Sequence, residues 1–203
     1  VFRLTRPTPA QVAAFVAAQR GEALSYAEVG ATRGPAPRGY AVDHNRERLG
    51  SGPEAFGRAA AALQAWRMTD LGWCAVRPAG APAAPGTDVA VVVRHYGFWS
   101  LNACRVVYTL DEAAEDAGGV RRVGFAYGTL PDHGAVGEER FAVEWHGADD
   151  SVWYDLLAYS RPGHVLARLG RPLARRLQRR FAAGSKRAMA AAAAGLAARG
   201  AAA

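Results

Sequence analysis

Two periods organise the apolar residues of this chain. A period of two recurs in six segments and predicts strands. Within Tyr40–Arg48, Tyr40, Val42, His44 and Arg46 share one face and Ala41, Asp43, Asn45 and Glu47 the other. Gly72–Arg77 reads as a short strand, and Val89, Val91, Val93 and His95 line one face of Thr87–Tyr96. After a turn at Gly97–Leu101, Cys104, Val106, Tyr108 and Leu110 share a face of Asn102–Leu110, with Arg105 opposite. Val123, Phe125 and Tyr127 alternate with small residues in Arg121–Thr129, and Phe141, Val143 and Trp145 alternate with polar ones in Glu138–His146. Ser151–Tyr159 is apolar on both faces apart from Asp155, so it belongs in the middle of a sheet or under cover on both sides. Leu24–Val29 is a weaker extended candidate.

The period of 3.6 appears in three places. Thr8 caps a short helix with Pro9 in its first turn, and Gly21 ends it. Pro53 to about Trp66 carries Phe56, Ala59, Ala60, Leu63 and Trp66 on one stripe. A long helix beginning near Pro162 carries Leu166, Leu169, Leu173, Leu177 and Phe181 on its apolar stripe. Arg168, Arg175 and Arg179 lie opposite, and Arg176 and Arg180 flank the stripe, where their stems can snorkel. Gly170 and Pro172 predict a kink. Beyond Gly184 the chain is Ala-rich and is expected to fray.

This order predicts an α+β fold: a curved antiparallel sheet of about seven strands gripping a long C-terminal helix, preceded by a short N-terminal helical segment. The expected layout is a helical segment over 1–30, a helix-grip domain over 31–187 and an Ala-rich tail over 188–203. In outline it is similar to START-like and birch-pollen-allergen-like proteins.

Composition narrows the function classes. The net charge is +7, with nine Arg, one Lys and no Asp or Glu from Arg161 onward, which leaves the rest of the chain negative. A basic C-terminal helix fits three roles: a solvated helix back, peripheral contact with anionic membrane, or nucleic-acid binding. Nucleic acid is disfavoured, because the aromatics fall on strands where the core claims them. No apolar run reaches the roughly 18 residues of a membrane span. Val1–Pro7 lacks the apolar core of a signal peptide, so a cytoplasmic location is expected, although the chain opens on Val and a leader could have been lost. Cys74 and Cys104 lack metal-site spacing and read as reduced core residues. No cofactor or metal is expected, and phosphate-loop, dinucleotide, zinc-protease and nucleophile-elbow motifs are missing.

If the large apolar face of each strand turns inward, polar groups go with it. The candidate ligand-binding set is His44, His95, Tyr108, Phe125, Tyr127, Trp145, Leu177 and Arg180, with His44, His95 and Tyr127 as acid–base candidates and Glu139 a further inward group. Asp43, Asn45, Arg105, Arg140 and Glu144 are expected on a solvated outer face. Glu138–Glu139 near His133 reads as a turn with exposed charges, because Gly134 and Gly137 lie between them. Asp155 and Arg161 are expected to fix the junction with the last helix.

Several longer motifs resemble one uncharacterised family. They include Val42–Gly52 (VDHNRERLGSG), Trp66–Met68 with Leu71–Trp73, Trp99–Tyr108 (WSLNACRVVY), Gly124–Pro131 (GFAYGTLP), Gly137–Phe141, Trp153–Asp155 and Pro172–Phe181. Together, over about Leu24 to Met189, they resemble the domain-of-unknown-function family numbered nineteen-ninety, with bacterial and plant members. The resemblance implies one main domain and carries over no activity, cofactor or catalytic residue. The expected function is binding of a small apolar or amphipathic molecule between sheet and C-terminal helix. The alternatives are a cyclase- or hydrolase-like enzyme using the same cavity, or a membrane-surface or scaffold protein acting through the basic helix. Oligomeric state is left open.

Overall fold

The computed structural model describes residues 1–114, 118–163 and 171–196. Its strands are β1 (Phe2–Arg3), β2 (Ala41–Ser51), β3 (Cys74–Arg77), β4 (Asp88–His95), β5 (Phe98–Glu112), β6 (Val120–Thr129), β7 (Ala135–His146) and β8 (Ser151–Pro162). Its helices are α1 (Pro9–Ala18), α2 (Gly52–Gln64) and α3 (Arg171–Ala193). One antiparallel sheet runs in the order β2-β8-β7-β6-β5-β4-β3, with β1 added against β5. Strands β3 to β8 form a meander, because short loops let each strand pair with the next. β8 then pairs with β2 and lies second from the edge, as its two apolar faces require. Helices α2 and α3 cover one face, called inner here, in a helix-grip arrangement.

The inner face carries the main core. Val89, Val91, Cys104, Val106, Phe125, Phe141, Val143 and Tyr154 pack beneath Ala59 and Leu63 of α2, Met68, and Ala182 and Met189 of α3. The chain reverses at Trp66, a non-glycine residue at φ 58°, which drives its indole into this core. Phe181 meets Phe141 edge-on at 6.5 Å, and Ser185 Oγ lies 2.7 Å from the Tyr154 hydroxyl. Arg175 forks onto Asp43 and Lys186 reaches Glu47 at 3.2 Å, so the acidic residues of β2 face α3 rather than solvent.

The helix does not fray at Gly184. It continues to Ala193, where Met189 and Ala193 are buried and Arg58 Nε donates to the Ala193 carbonyl at 2.7 Å. That contact satisfies one of the carbonyls a helix C-terminus leaves open and places a cation at the negative end of its dipole. β8 closes at Pro162, and the expected start of the helix just beyond it lies outside the described residues. The expected contacts of Leu166, Arg168 and Leu169, and a kink at Gly170, lie outside the described residues. Leu173 is 43% exposed, whereas Leu177 and Phe181 are partly buried.

The outer face is covered too. α1, closed by a reciprocal Thr8–Gln11 capping box, packs Val12 on Ala90 and Leu101. The segment after α1 crosses β6 to β8 as an irregular strap instead of the extended strand expected at Leu24–Val29. Its anchor is Glu138, only 2% exposed, which accepts from Tyr26 Oη (2.7 Å), Gly30 N (2.7 Å), Thr32 N (3.0 Å) and Thr32 Oγ1 (2.5 Å). A buried carboxylate needs such a set of donors. Glu138 and Glu139 are thus both within β7, and the expected exposed turn is corrected: β7 begins at Ala135, with Gly137 inside it.

Gly128 makes the strap possible. A Cβ there would lie 2.1 Å from Tyr26 Oη and 2.7 Å from its ring. Gly128→Ala should therefore lift Tyr26 off β6 and lose about 1–3 kcal/mol of stability. Urea unfolding would read the loss, and limited proteolysis should show faster cleavage within residues 20–38.

Candidate functional site

The inner face is filled at its centre, and a cavity lies beside α3. Trp66 fills the centre, its ring 4.6 Å from Phe125 and stacked at 6.2 Å on Tyr127, with Nε1 donating to the Ala81 carbonyl at 2.8 Å. Away from α2 the lining becomes polar. Tyr127 Oη donates to Glu139 Oε2 at 2.6 Å, and among the described residues the Glu139 carboxyl has no other hydrogen-bond partner. Gln178 of α3 donates to Ser160 on the same face at 3.1 Å. Arg180 lies over the Trp73 ring at 4.3 Å, next in the chain to Cys74. A cavity of about 410 Å³ opens between the β4–β5 turn and α3, lined by Tyr96, Arg176, Leu177 and Arg180.

Glu139 is the unusual group in this region. It sits deep in the fold, yet part of its surface stays reachable. Burial raises its pKa to about 7, against the pull of the Tyr127 hydrogen bond and with help from Asp43. Burial also pushes the Tyr127 hydroxyl well up, reinforced by the Glu139 charge, and pushes the Cys74 thiol up to about 12. Both cysteines are free, buried and protonated, in keeping with core thiols. Near neutral pH the pair can therefore offer a carboxyl donor or a carboxylate acceptor at little cost, the condition for holding a polar group or moving a proton. Among the described residues no cluster of three His, Cys, Asp or Glu could hold a metal ion.

The structure separates the sequence candidates. Leu177 and Arg180 line the cavity, and Tyr127 holds Glu139. Phe125 is fully buried beneath Trp66, and Trp145 packs on Phe56 at the α2 end with its Nε1 on Asp150. His95 sits at the sheet end, edge-on to Phe2 and 3.3 Å from Ser100 Oγ, with its pKa lowered by burial.

Two candidates lie on the opposite face. His44 Nε2 contacts Asp155 Oδ2 at 2.6 Å on the outer side, because the face of β2 turned to α3 is that of Asp43 and Glu47. Tyr108 is turned outward by a β-bulge between Val106 and Tyr108, and its hydroxyl lies 2.6 Å from Thr32 Oγ1. Asp155 does not fix the junction with α3. It is an outer-face hub for His44, Arg46 and Arg140, and although burial pushes its pKa up, the bonds from His44 and Arg140 hold it below the usual range. Glu139 escaped the site set because Gly134 and Gly137 read as a turn. The step of two back from Phe141 was the signal that placed it inward.

The sequence comparisons follow this geometry. The family described as Domain of unknown function (DUF1990) matches residues 25–188. This chain belongs to that family. It is 41% identical to a UPF0548 protein of Deinococcus radiodurans over 195 residues, covering 90% of this chain and 93% of the relative. It is 33% identical to a UPF0548 protein of Dictyostelium discoideum over 197 residues, covering 89% and 90%. The DUF1990 relatives therefore include eukaryotic as well as bacterial proteins. A hypothetical protein of Helicobacter pylori shares the fold, with a TM-score of 0.50 at 10% identity, over 75% of this chain and 86% of that one. No helix among the described residues is long and apolar enough to cross a membrane.

The Glu139 shift has a defined stability signature in this DUF1990 chain. A carboxyl whose folded pKa lies near 7 and unfolded pKa near 4.5 binds more protons when folded between those values. Its contribution is complete below about pH 4.5 and is lost as pH rises through 7. Glu139→Gln should abolish that decline, so the difference in unfolding free energy between variant and parent should grow by up to about 3 kcal/mol from pH 4.5 to 7.5. Urea unfolding across this range checks it; a constant difference would place Glu139 in solvent.

Proposed function

We propose that this DUF1990 protein binds a small amphipathic molecule in the inner cleft, its apolar part against Leu177 and Trp73 and its polar end at Tyr127–Glu139. The observation that carries the reading is a carboxyl held on the inner face by one tyrosine and left with unused hydrogen-bonding capacity; the cavity at Leu177 and Arg180 lies on the same, α3-covered side of the sheet. A structural carboxylate in this same protein looks different: Glu138, one residue away, is saturated by four donors. Pockets that orient a ligand are mostly apolar with a few converging polar groups.

Trp66 restricts the occupant. With the centre of the inner face filled, the ligand is confined to the half beside the start of α3 and is small by the standards of a lipid carrier. Proton transfer during turnover is a second reading, favoured by the pKa of Glu139 near 7. In that reading Glu139 replaces His44 and His95 as the acid–base group and Tyr127 orients it. The basic-helix reading has less support, because Arg175 and Lys186 are engaged with Asp43 and Glu47.

Native mass spectrometry of the freshly purified chain, paired with titration of the fluorophore 1-anilinonaphthalene-8-sulfonate, tests the proposal. A bound small molecule or saturable fluorescence is expected, lost in Leu177→Trp and at least tenfold weaker in Tyr127→Phe, with the thermal midpoint of Leu177→Trp little changed. Absence of both signals in the parent, or signals indifferent to both substitutions, would overturn it.

A further inference from the structure

A second cavity, of about 310 Å³, lies on the outer face between the strap and strands β5 to β7. It is unrelated to the inner cleft, which the sheet separates from it. Three guanidinium groups line it: Arg33 from the strap, Arg122 from β6 and Arg140 from β7. Two carboxylates also line it, but each is already engaged, Asp111 with Arg121 at 2.6 Å and Glu112 with Arg122 at 2.7 Å. Arg122 is further committed to Glu144 at 2.8 Å. The outer row of charges is thus balanced from Glu112 through Arg122 to Glu144.

Arg33 and Arg140 stand apart from that balance. Arg33 makes no ion pair among the described residues; its guanidinium lies over the Tyr108 ring at 4.1 Å, a contact that leaves its in-plane N–H donors free. Arg140 spends one terminal nitrogen on the Thr32 carbonyl and the other on Asp155 Oδ1, both at 2.8 Å. Its Nε is buried and has no hydrogen-bond partner. Leaving a buried charged donor unmade is costly, and native structures seldom do so without a use for it. The strap positions both groups: Thr32, clamped on Glu138, holds Arg140 by its carbonyl and is followed directly by Arg33.

We propose that this outer pocket binds a compact phosphate, free or as a monoester, between Arg33 and Arg140. The two guanidiniums come from different elements, one from the strap above and one from the strand floor. A planar carboxylate fits one guanidinium fork at a time, whereas a tetrahedral phosphate presents oxygens to both. The cavity, about 310 Å³ and open to solvent, accommodates the phosphate and lets a substituent extend outward.

Calorimetric titration of the full chain with inorganic phosphate at low ionic strength tests this. Saturable binding is expected, at least tenfold weaker in Arg33→Ala, whose thermal midpoint should fall only slightly through loss of the Tyr108 contact, and weaker also in Arg140→Lys, which keeps the charge beside Asp155 but removes the guanidinium fork. Acetate should bind at least tenfold more weakly than phosphate. Sedimentation with phosphatidylcholine vesicles, with and without phosphatidic acid, separates the sources: Arg33-dependent sedimentation assigns the phosphate to a lipid headgroup, and its absence alongside phosphate binding assigns a soluble ester. No saturable heat with phosphate, acetate binding as tightly, or parent-like affinity in both variants would overturn the site. The inner-cleft reading would be untouched by that failure.

Discussion

The strictest constraint on this molecule is the period of two along β7. It sends Glu138 and Glu139, adjacent in sequence, to opposite faces of one sheet, burying the first and leaving the second deep but partly reachable. Each must then find its own solution to the loss of water. Glu138 meets a strap that brings four donors, and the result is structural: residues that would otherwise be a long free loop are tied down over β6 to β8. Glu139 meets one tyrosine and an apolar neighbourhood, and its solution is a shifted pKa. One carboxylate organises the outer layer and the other gives the inner layer its only strongly perturbed carboxyl among the described residues.

The sheet and its covering helices were readable because alternation and helical stripes act locally. Phe125, Tyr127, Phe141, Val143 and Trp145 all went where the alternation pointed. The failures share a different cause, which is that a face is assigned relative to a strand's neighbours. A single extra residue near Val107 turned Tyr108 outward while Cys104 and Val106 stayed inward, and no local pattern announces a bulge. β2 alternates cleanly but carries little large apolar content on either face, so its direction was decided by α3, whose Arg175 and Lys186 select Asp43 and Glu47. His44 went outward as a consequence. Glu139 was read both as an inward group and as part of an exposed turn, because the nearby glycines that resemble a turn in fact lie in or beside the strand.

The charge asymmetry of the sequence also changes meaning in three dimensions. The basic C-terminal segment looked like a surface in search of an anionic partner. Part of its partner is β2 in the same chain, and part of its length is held at Arg58, which closes the far end of α3 on α2. Surface ion pairs contribute little individually, about 0–1 kcal/mol each, so these contacts are better understood as fixing the rotation of α3 about its axis than as its source of stability. The packing of Phe181, Ala182 and Met189 supplies that. Rotation matters here because it sets which residues, Leu177 and Arg180 among them, border the cleft.

Trp66 links the size of the cleft to its chemistry. Its left-handed backbone turn places an indole where a deep cavity would otherwise continue, against Phe125 and over Tyr127. That reduces the room for a ligand. It also keeps water from the back of Tyr127 and so contributes to the desolvation that lifts Glu139. A larger, wetter cavity would leave the carboxyl ionised and ordinary. The filled centre and the desolvated carboxyl thus meet at Tyr127, which Trp66 stacks on and Glu139 accepts from, and the small occupant proposed above follows from that filling.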